Sequence, residues 1–234
     1  MKHKWILYVG FFAVLFAVYF IIVYGQTDIA KSNLAVISDV KPFSFTNQDG
    51  KPVGNREIDG KVYVTEFFFT TCKSICPRMN ANMRRVYDKF KDNPDFMIIS
   101  HTCMPETDSV PVLKSYEAKM LSGTLVQKQD GSYRLEDDST IKKAVPVNTN
   151  WQFVTGDKRQ LYNMARHSYI IDNNKKDTLA NIADEFIHTQ LFALVDKQQR
   201  VRGVYDGLKE DEIQKLLKDI KGLLKETAQN RSLN

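Results

Sequence analysis

An α/β fold with a central mixed sheet flanked by helices, preceded by one N-terminal transmembrane helix, is the class this sequence predicts. Three observations predict it. An uncharged apolar run, residues 5–24, follows Met1-Lys2-His3-Lys4. Short apolar strands then alternate with amphipathic helices along most of the remaining chain. Two of the three cysteines, Cys72 and Cys76, stand four residues apart at a strand-to-helix junction and are followed at once by Pro77.

The first run, about 20 residues, is long enough to cross a bilayer as a helix. Lysines before it and none just after it put the amino terminus in the cytoplasm and the rest of the chain on the far side. The run exceeds the ~7–15 residue core of a cleaved signal peptide and no Ala-x-Ala site follows, so an uncleaved anchor over residues 1–25 is expected. With no Arg-rich transit peptide ahead of it, the chain reads as a single-pass protein of a bacterial inner membrane, its soluble domain in the periplasm. Residues 26–40 read as a polar tether, and 41–230 as one domain with an insertion at about 122–150. The formal charge of +5 is spread among acidic residues. No basic, aromatic-laced stripe marks a nucleic-acid partner. Three cysteines suit a working pair plus one more better than a disulfide framework.

Along the domain, residues 41–46 read as a strand and 47–51 as its turn. Residues 62–69, aromatic and β-branched, read as a buried strand ending at the cysteines. Pro77 suits the first turn of a helix, where its missing N–H needs no partner. That helix places Met79, Met83, Val86, Tyr87 and Phe90 on one face, which marks both methionines as core and not as copper ligands. Asp92-Asn93-Pro94 ends it, and residues 96–100 form the next strand. Strand, helix, strand requires parallel pairing and a right-handed crossover, so both strands end on one rim. A helix over 109–121, a strand over 151–155 and a helix over 157–166 continue the alternation, with 129–132 as an exposed hairpin tip. Residues 191–195 and 201–205 form a closing hairpin around 196–199. The last helix buries Ile213, Leu216, Leu217, Ile220, Leu223 and Leu224. A βαβ half joined to a ββα half, with a cysteine pair at the first strand-to-helix turn, is the organisation of a thioredoxin-like fold.

Cys72 and Cys76 form either a metal clamp or a redox pair, the plain alternative being two small core residues. A helix N-terminus favours the thiolate, the form that binds soft metals and attacks disulfides. Residues 67–77 (FFFTTCKSICP), 151–157 (WQFVTGD) and 184–189 (DEFIHT) resemble the Sco copper-chaperone proteins involved in assembling the copper centre of cytochrome c oxidase. The resemblance covers most of residues 40–225. It implies a membrane-anchored thioredoxin-like domain that binds copper through Cys72, Cys76 and His188. Its implied partner is the copper-bearing subunit of the oxidase or another copper chaperone. The residues alone also favour the histidine. A strand over 191–195 antiparallel to the first would begin at the rim where the parallel strands end, so His188 would face the cysteines; otherwise it is an exposed loop histidine. Two thiolates and an imidazole suit Cu(I), and imidazole also accepts Cu(II).

His3 flanks the membrane run, and His167 closes a helix whose C-terminal dipole favours it. His101 follows the second parallel strand at the same rim. Two residues on, the family's usual Val-Asp-Pro is replaced by Cys103-Met104-Pro105. Cys103 is either a third working thiol or a core residue in place of valine. Glu66 lies in the central strand, six residues before Cys72. It is either buried, where it would serve as proton acceptor to the pair as the similarly placed aspartate does in thioredoxins, or it sits at an exposed edge. Two functions therefore stand, a copper metallochaperone and a membrane-tethered thiol-disulfide oxidoreductase that reduces cysteines of a partner. Only the first needs His188. A peroxidase-like reading lacks an arginine for a peroxide pocket.

Overall fold

The computed structural model describes residues 4–26, 34–136, 147–148, 150–172 and 189–226; in the first stretch, side chains are described for Trp5 and residues 8–19. His3 and His188 lie outside the described residues.

The amino-terminal helix α1 spans Lys4–Gln26. The expected span thus meets a helix at the right place, but among the described residues no helix is long and apolar enough to cross a membrane. The described side chains run unbroken only from residue 8 to residue 19, about 18 Å of helix against a hydrocarbon core of ~30 Å.

The domain follows in the order β1 (Ser38–Asp39), β2 (Ser44–Asn47), β3 (Pro52–Gly54), β4 (Val62–Phe68), α2 (Cys76–Phe90), β5 (Phe96–Thr102) and α3 (Val110–Ser122). Then come β6 (Thr124–Gln127), β7 (Tyr133–Glu136), β8 (Trp151–Thr155), α4 (Lys158–Asn163), a π-helical turn (Met164–Ser168), β9 (Leu191–Val195), β10 (Arg200–Asp206) and α5 (Glu210–Lys225). Among the described residues eight strands form one sheet in the order β1-β10-β9-β4-β5-β8-β2-β3, and β6-β7 form a separate hairpin. The pairs β4-β5 and β5-β8 are parallel, while β9 runs antiparallel to β4. The expected mixed α/β architecture, a βαβ half joined to a ββα half, is the one observed.

All seven residues of β4 and all seven of β5 are buried. Strands covered on both faces need two apolar layers, and the sequence supplies them. On one face α2, α3 and α5 pack Met79, Met83, Val86, Leu113, Leu216 and Ile220 against Val64 and Ile98. On the other, Phe43, Phe45, Leu161, Tyr169 and Ile171 cover Tyr63, Phe67 and Ile99. Burial of one Val or Leu side chain contributes about 1.5–3 kcal/mol, so α2 is held by its stripe more than by its own propensity.

Three details differ from the sequence reading. Ser38–Asp39, within the stretch expected as a tether, pairs with β10, and the Leu34 carbonyl accepts two hydrogen bonds from Arg202, at 2.6 and 3.0 Å. The 122–150 insertion contains the β6-β7 hairpin, which is not a free flap: the Arg85 guanidinium lies 4.0 Å from the Tyr133 ring centroid and ties it to α2. The helix expected over 157–166 gives way at Met164 to a π-helical turn, followed by Ile170 at φ 54°. A positive φ is strained for a β-branched residue, and no glycine announces it in the sequence.

Candidate metal and thiol centre

Cys76 is the first residue of α2 and Pro77 fills its first turn. Cys72 is half-buried and Cys76 is buried at 4 % exposure, and both are free thiols within hydrogen-bonding reach of one another. The turn between β4 and α2 is closed by Cys72 N–H donating to the Phe69 carbonyl at 3.2 Å. The Phe69 N–H in turn donates to the Cys76 sulfur. Proximity to the helix end predicts a lowered Cys76 pKa, and the structure reverses that expectation. Burial pushes the Cys76 thiol up, the neighbouring Cys72 adds to the rise, and the Phe69 N–H opposes it only in part. Withdrawal from water outweighs the partial charges of the helix end.

Glu66 is fully buried, which removes the edge alternative. The Ser100 hydroxyl donates to its Oε1 at 2.7 Å and itself accepts from the Trp151 indole N–H at 2.9 Å. Its Oε2 has no hydrogen-bond partner among the described residues. Burial therefore raises Glu66 to about 8, the Ser100 bond offsetting part of that rise, and the residue is a neutral acid at pH 7. Once ionised it would oppose ionisation of both Cys76 and Tyr116. Tyr116 lies against Phe68 at 5.0 Å between centroids and accepts a hydrogen bond from Asn80.

His101 does not join this group. Successive residues of a strand face opposite ways, so Ser100 turns toward Glu66 and His101 turns to the other layer. There it stacks on Phe67 at 4.9 Å, meets Phe45 edge-on at 5.5 Å and shares a hydrogen bond of 2.9 Å with Thr65 Oγ1. Full burial depresses His101 to about 3. Cys103 belongs to the same layer at 2 % exposure, as a core residue would, and burial pushes its thiol up. His167 lines a cleft of about 450 Å³ walled by Lys41, Phe43 and Met164, with no cysteine in it.

Asp108 and Ser100 were not singled out from the sequence. Asp108 is 1 % exposed and accepts hydrogen bonds from both the hydroxyl and the N–H of Thr70 and from the Thr102 hydroxyl. A signal for Ser100 existed, a lone hydroxyl ending the apolar run Met97-Ile98-Ile99 in the strand beside Glu66.

His188 lies outside the described residues, but the strand after it is described. The register Thr65↔Ala193 and Val64↔Leu194, continued by two residues, sets Leu191 opposite Phe67. So β9 starts at the rim where β4 ends, as its expected antiparallel course required. Thr189 is buried there, and its hydroxyl accepts from the Leu191 N–H at 3.1 Å. Among the described residues no group of three or more His, Cys, Asp or Glu side chains could hold a metal ion.

The SCO1/SenC family model matches residues 35–127 and 138–225. The SCO1 protein homolog of Bacillus subtilis (strain 168) is 31% identical over 185 residues, which cover 78% of this chain and 81% of that protein. The structure of BsSco, a member of the Sco family of cytochrome c oxidase assembly proteins with a disulfide switch, is 29% identical with a TM-score of 0.57, over 82% of this chain and 98% of that one. Arabidopsis thaliana ScoI with copper bound, 18% identical, shares the fold at a TM-score of 0.51 over 80% of this chain and 98% of that chain.

The two buried titrating groups give opposite pH dependences. Glu66, raised from 4.5 to about 8, is protonated in the folded chain while the unfolded chain ionises, so stability is lost as pH rises from about 4.5 to 8. His101, lowered from 6.5 to about 3, is neutral in the folded chain while the unfolded chain takes up a proton, so stability is lost as pH falls from about 6.5 to 3. Urea unfolding of Glu66→Gln should flatten the decline between pH 6.5 and 8, where the wild-type slope approaches at most about 1.4 kcal/mol per unit. His101→Phe should flatten the acid side below pH 4.5. A wild-type slope retained in either variant would refute that assignment.

Proposed function

The chain belongs to the SCO1/SenC family, and from that membership we propose that it is a membrane-anchored copper metallochaperone serving the copper centre of cytochrome c oxidase. The observation that carries the reading is the free Cys72/Cys76 pair within hydrogen-bonding reach at the rim where β9 also begins. The sulfurs supply two soft donors, and His188, which comes from the family resemblance, supplies an imidazole. Copper is the cargo, held by three protein ligands, and the open coordination position lets a partner's ligand enter before these leave. The partner is the oxidase's copper-bearing subunit or another copper chaperone.

Anchoring rests on α1. Its backbone spans 23 residues, about 34 Å, and the uncharged run of residues 5–24 lies within it. It also exposes Trp5 at 75 %, Phe11 at 62 % and Phe16 at 64 %, an apolar surface suited to lipid. The lysines on its amino side support a reading in which the domain lies in the periplasm of a bacterial inner membrane.

The second reading, a thiol-disulfide oxidoreductase, is favoured by Glu66. Its carboxyl lies buried in the layer that holds Cys76 and titrates near 8, so it is poised to exchange a proton with the pair. In that reading a Cys72 mixed disulfide with the partner is resolved by Cys76, the partner's thiolate leaves reduced, and the pair is oxidised.

Copper binding and disulfide reductase rate in the full chain separate the two. Cys72→Ser and Cys76→Ser should each abolish tight Cu(I) binding, and His188→Ala should weaken it tenfold or more while leaving reduction of a disulfide substrate intact. Copper affinity unchanged in His188→Ala would end the chaperone reading with this ligand set. The anchor is tested by alkaline carbonate washing of membranes. The full chain should stay in the pellet and residues 27–234 should be released; full chain in the supernatant contradicts it.

A further inference from the structure

Backbone pairing between β4 and β5 ends where Cys103 N–H donates to the Phe68 carbonyl at 2.7 Å. Four residues later comes Cys72, on a segment whose residues 71, 73 and 74 are exposed and which contains no proline or glycine. Such a segment needs a tether, because every residue left free to sample other conformations adds conformational entropy to be overcome at binding. Asp108 supplies it. Its Oδ1 accepts the Thr70 hydroxyl at 2.6 Å, and its Oδ2 accepts the Thr70 N–H at 3.2 Å and the Thr102 hydroxyl at 2.5 Å.

The acceptor is itself fixed from behind. Asp108 N–H donates to the Met104 carbonyl at 2.9 Å, and Met104 N–H donates to Thr102 Oγ1 at 3.0 Å. The carboxyl thus ties Thr70, two residues past the last ladder pair Phe68↔Thr102, back to Thr102. No ion pair to Asp108 occurs among the described residues, although the residue is 1 % exposed. A carboxylate buried without a cation is retained at a cost, which three donors around it offset. Those donors belong to the two chain segments that bracket the thiol site.

We infer that Asp108 is a positioning residue for the thiol centre: by clasping Thr70 to Thr102 it fixes the approach of Cys72 to Cys76. The inference deepens the proposed function and rests on the pair being the working site. The clasp raises the effective concentration of one sulfur beside the other, favouring both joint binding of a soft metal and closure of the disulfide. Asp108→Ala removes all three bonds. Asp108→Asn, with its carbonyl turned to the Oδ2 position, keeps the bonds from Thr70 N–H and the Thr102 hydroxyl.

The test uses the full chain in detergent, with Cu(I) supplied against a chelating competitor and, separately, a glutathione redox buffer. Val86→Ala, a core truncation in α2, controls for lost stability, and Cys76→Ser controls for the ligand. Asp108→Ala should bind Cu(I) at least tenfold more weakly. It should also shift the Cys72–Cys76 equilibrium at least tenfold, about 30 mV, toward the dithiol. Asp108→Asn should fall between it and wild type and keeps the test open if the alanine variant does not fold. Val86→Ala should lower the unfolding midpoint and leave both readouts at wild type. Wild-type values in both Asp108 variants, or an equal shift in Val86→Ala, overturn the inference. If wild type and Cys76→Ser bind Cu(I) equally, the copper reading fails instead, and the glutathione equilibrium alone decides the role of Asp108.

Discussion

The parallel register of β4 on β5, seven pairs from Val62↔Phe96 to Phe68↔Thr102, is the constraint on which the rest of the molecule depends. It ends both strands at one rim, and a single peptide group there serves both sides of the site. The Phe68 carbonyl accepts from Cys103 and the adjoining Phe69 N–H donates to the Cys76 sulfur. The same register decides which layer each side chain enters. Glu66 meets Ser100 on the face of Cys76, while Phe67 meets His101 on the other. A slip of one residue would exchange the two sets and place an imidazole beside the thiols.

That alternation separates two buried ionisable groups by one strand position and gives them opposite tasks. His101 is part of an aromatic layer and is held neutral by it. Glu66 is held protonated, close enough to influence Cys76, with Oε2 lacking a hydrogen-bond partner among the described residues. The thiols share this dry setting, so Cys76 favours its protonated form until something softer than water takes the proton's place. Metal cargo and disulfide chemistry both meet that condition, which is why the two functional readings share one pair of sulfurs.

Much of this was legible in the sequence because apolar period and punctuation agreed. The stripe Met79, Met83, Val86, Tyr87, Phe90 is buried as its spacing required, and the hairpin at 191–205 turns at Asp196, whose carboxyl accepts the N–H groups of Gln198 and Arg200 at 2.9 and 3.0 Å. What escaped was decided by contacts distant in sequence. Asp108 lies 38 residues from Thr70, and nothing in its own neighbourhood marks it as a clasp. His101 was legible as a strand-end histidine, but its face follows from the strand's phase, which a rim position alone leaves open. The lowered thiol pKa expected at a helix start failed for a related reason: the depth of Cys76 comes from Phe68, Tyr116 and their neighbours, not from the local motif. His188, inferred from the family resemblance and from the course of β9, lies outside the described residues.

The central claim is that two sulfurs and one imidazole of this chain hold copper at the β4 rim. Copper K-edge X-ray absorption on the full chain loaded with one equivalent of Cu(I) tests it most directly. The account predicts a coordination shell of two sulfurs and one nitrogen, with the nitrogen lost in His188→Ala. A shell of three sulfurs, which would draw Cys103 out of its core layer, or one without sulfur, would contradict it.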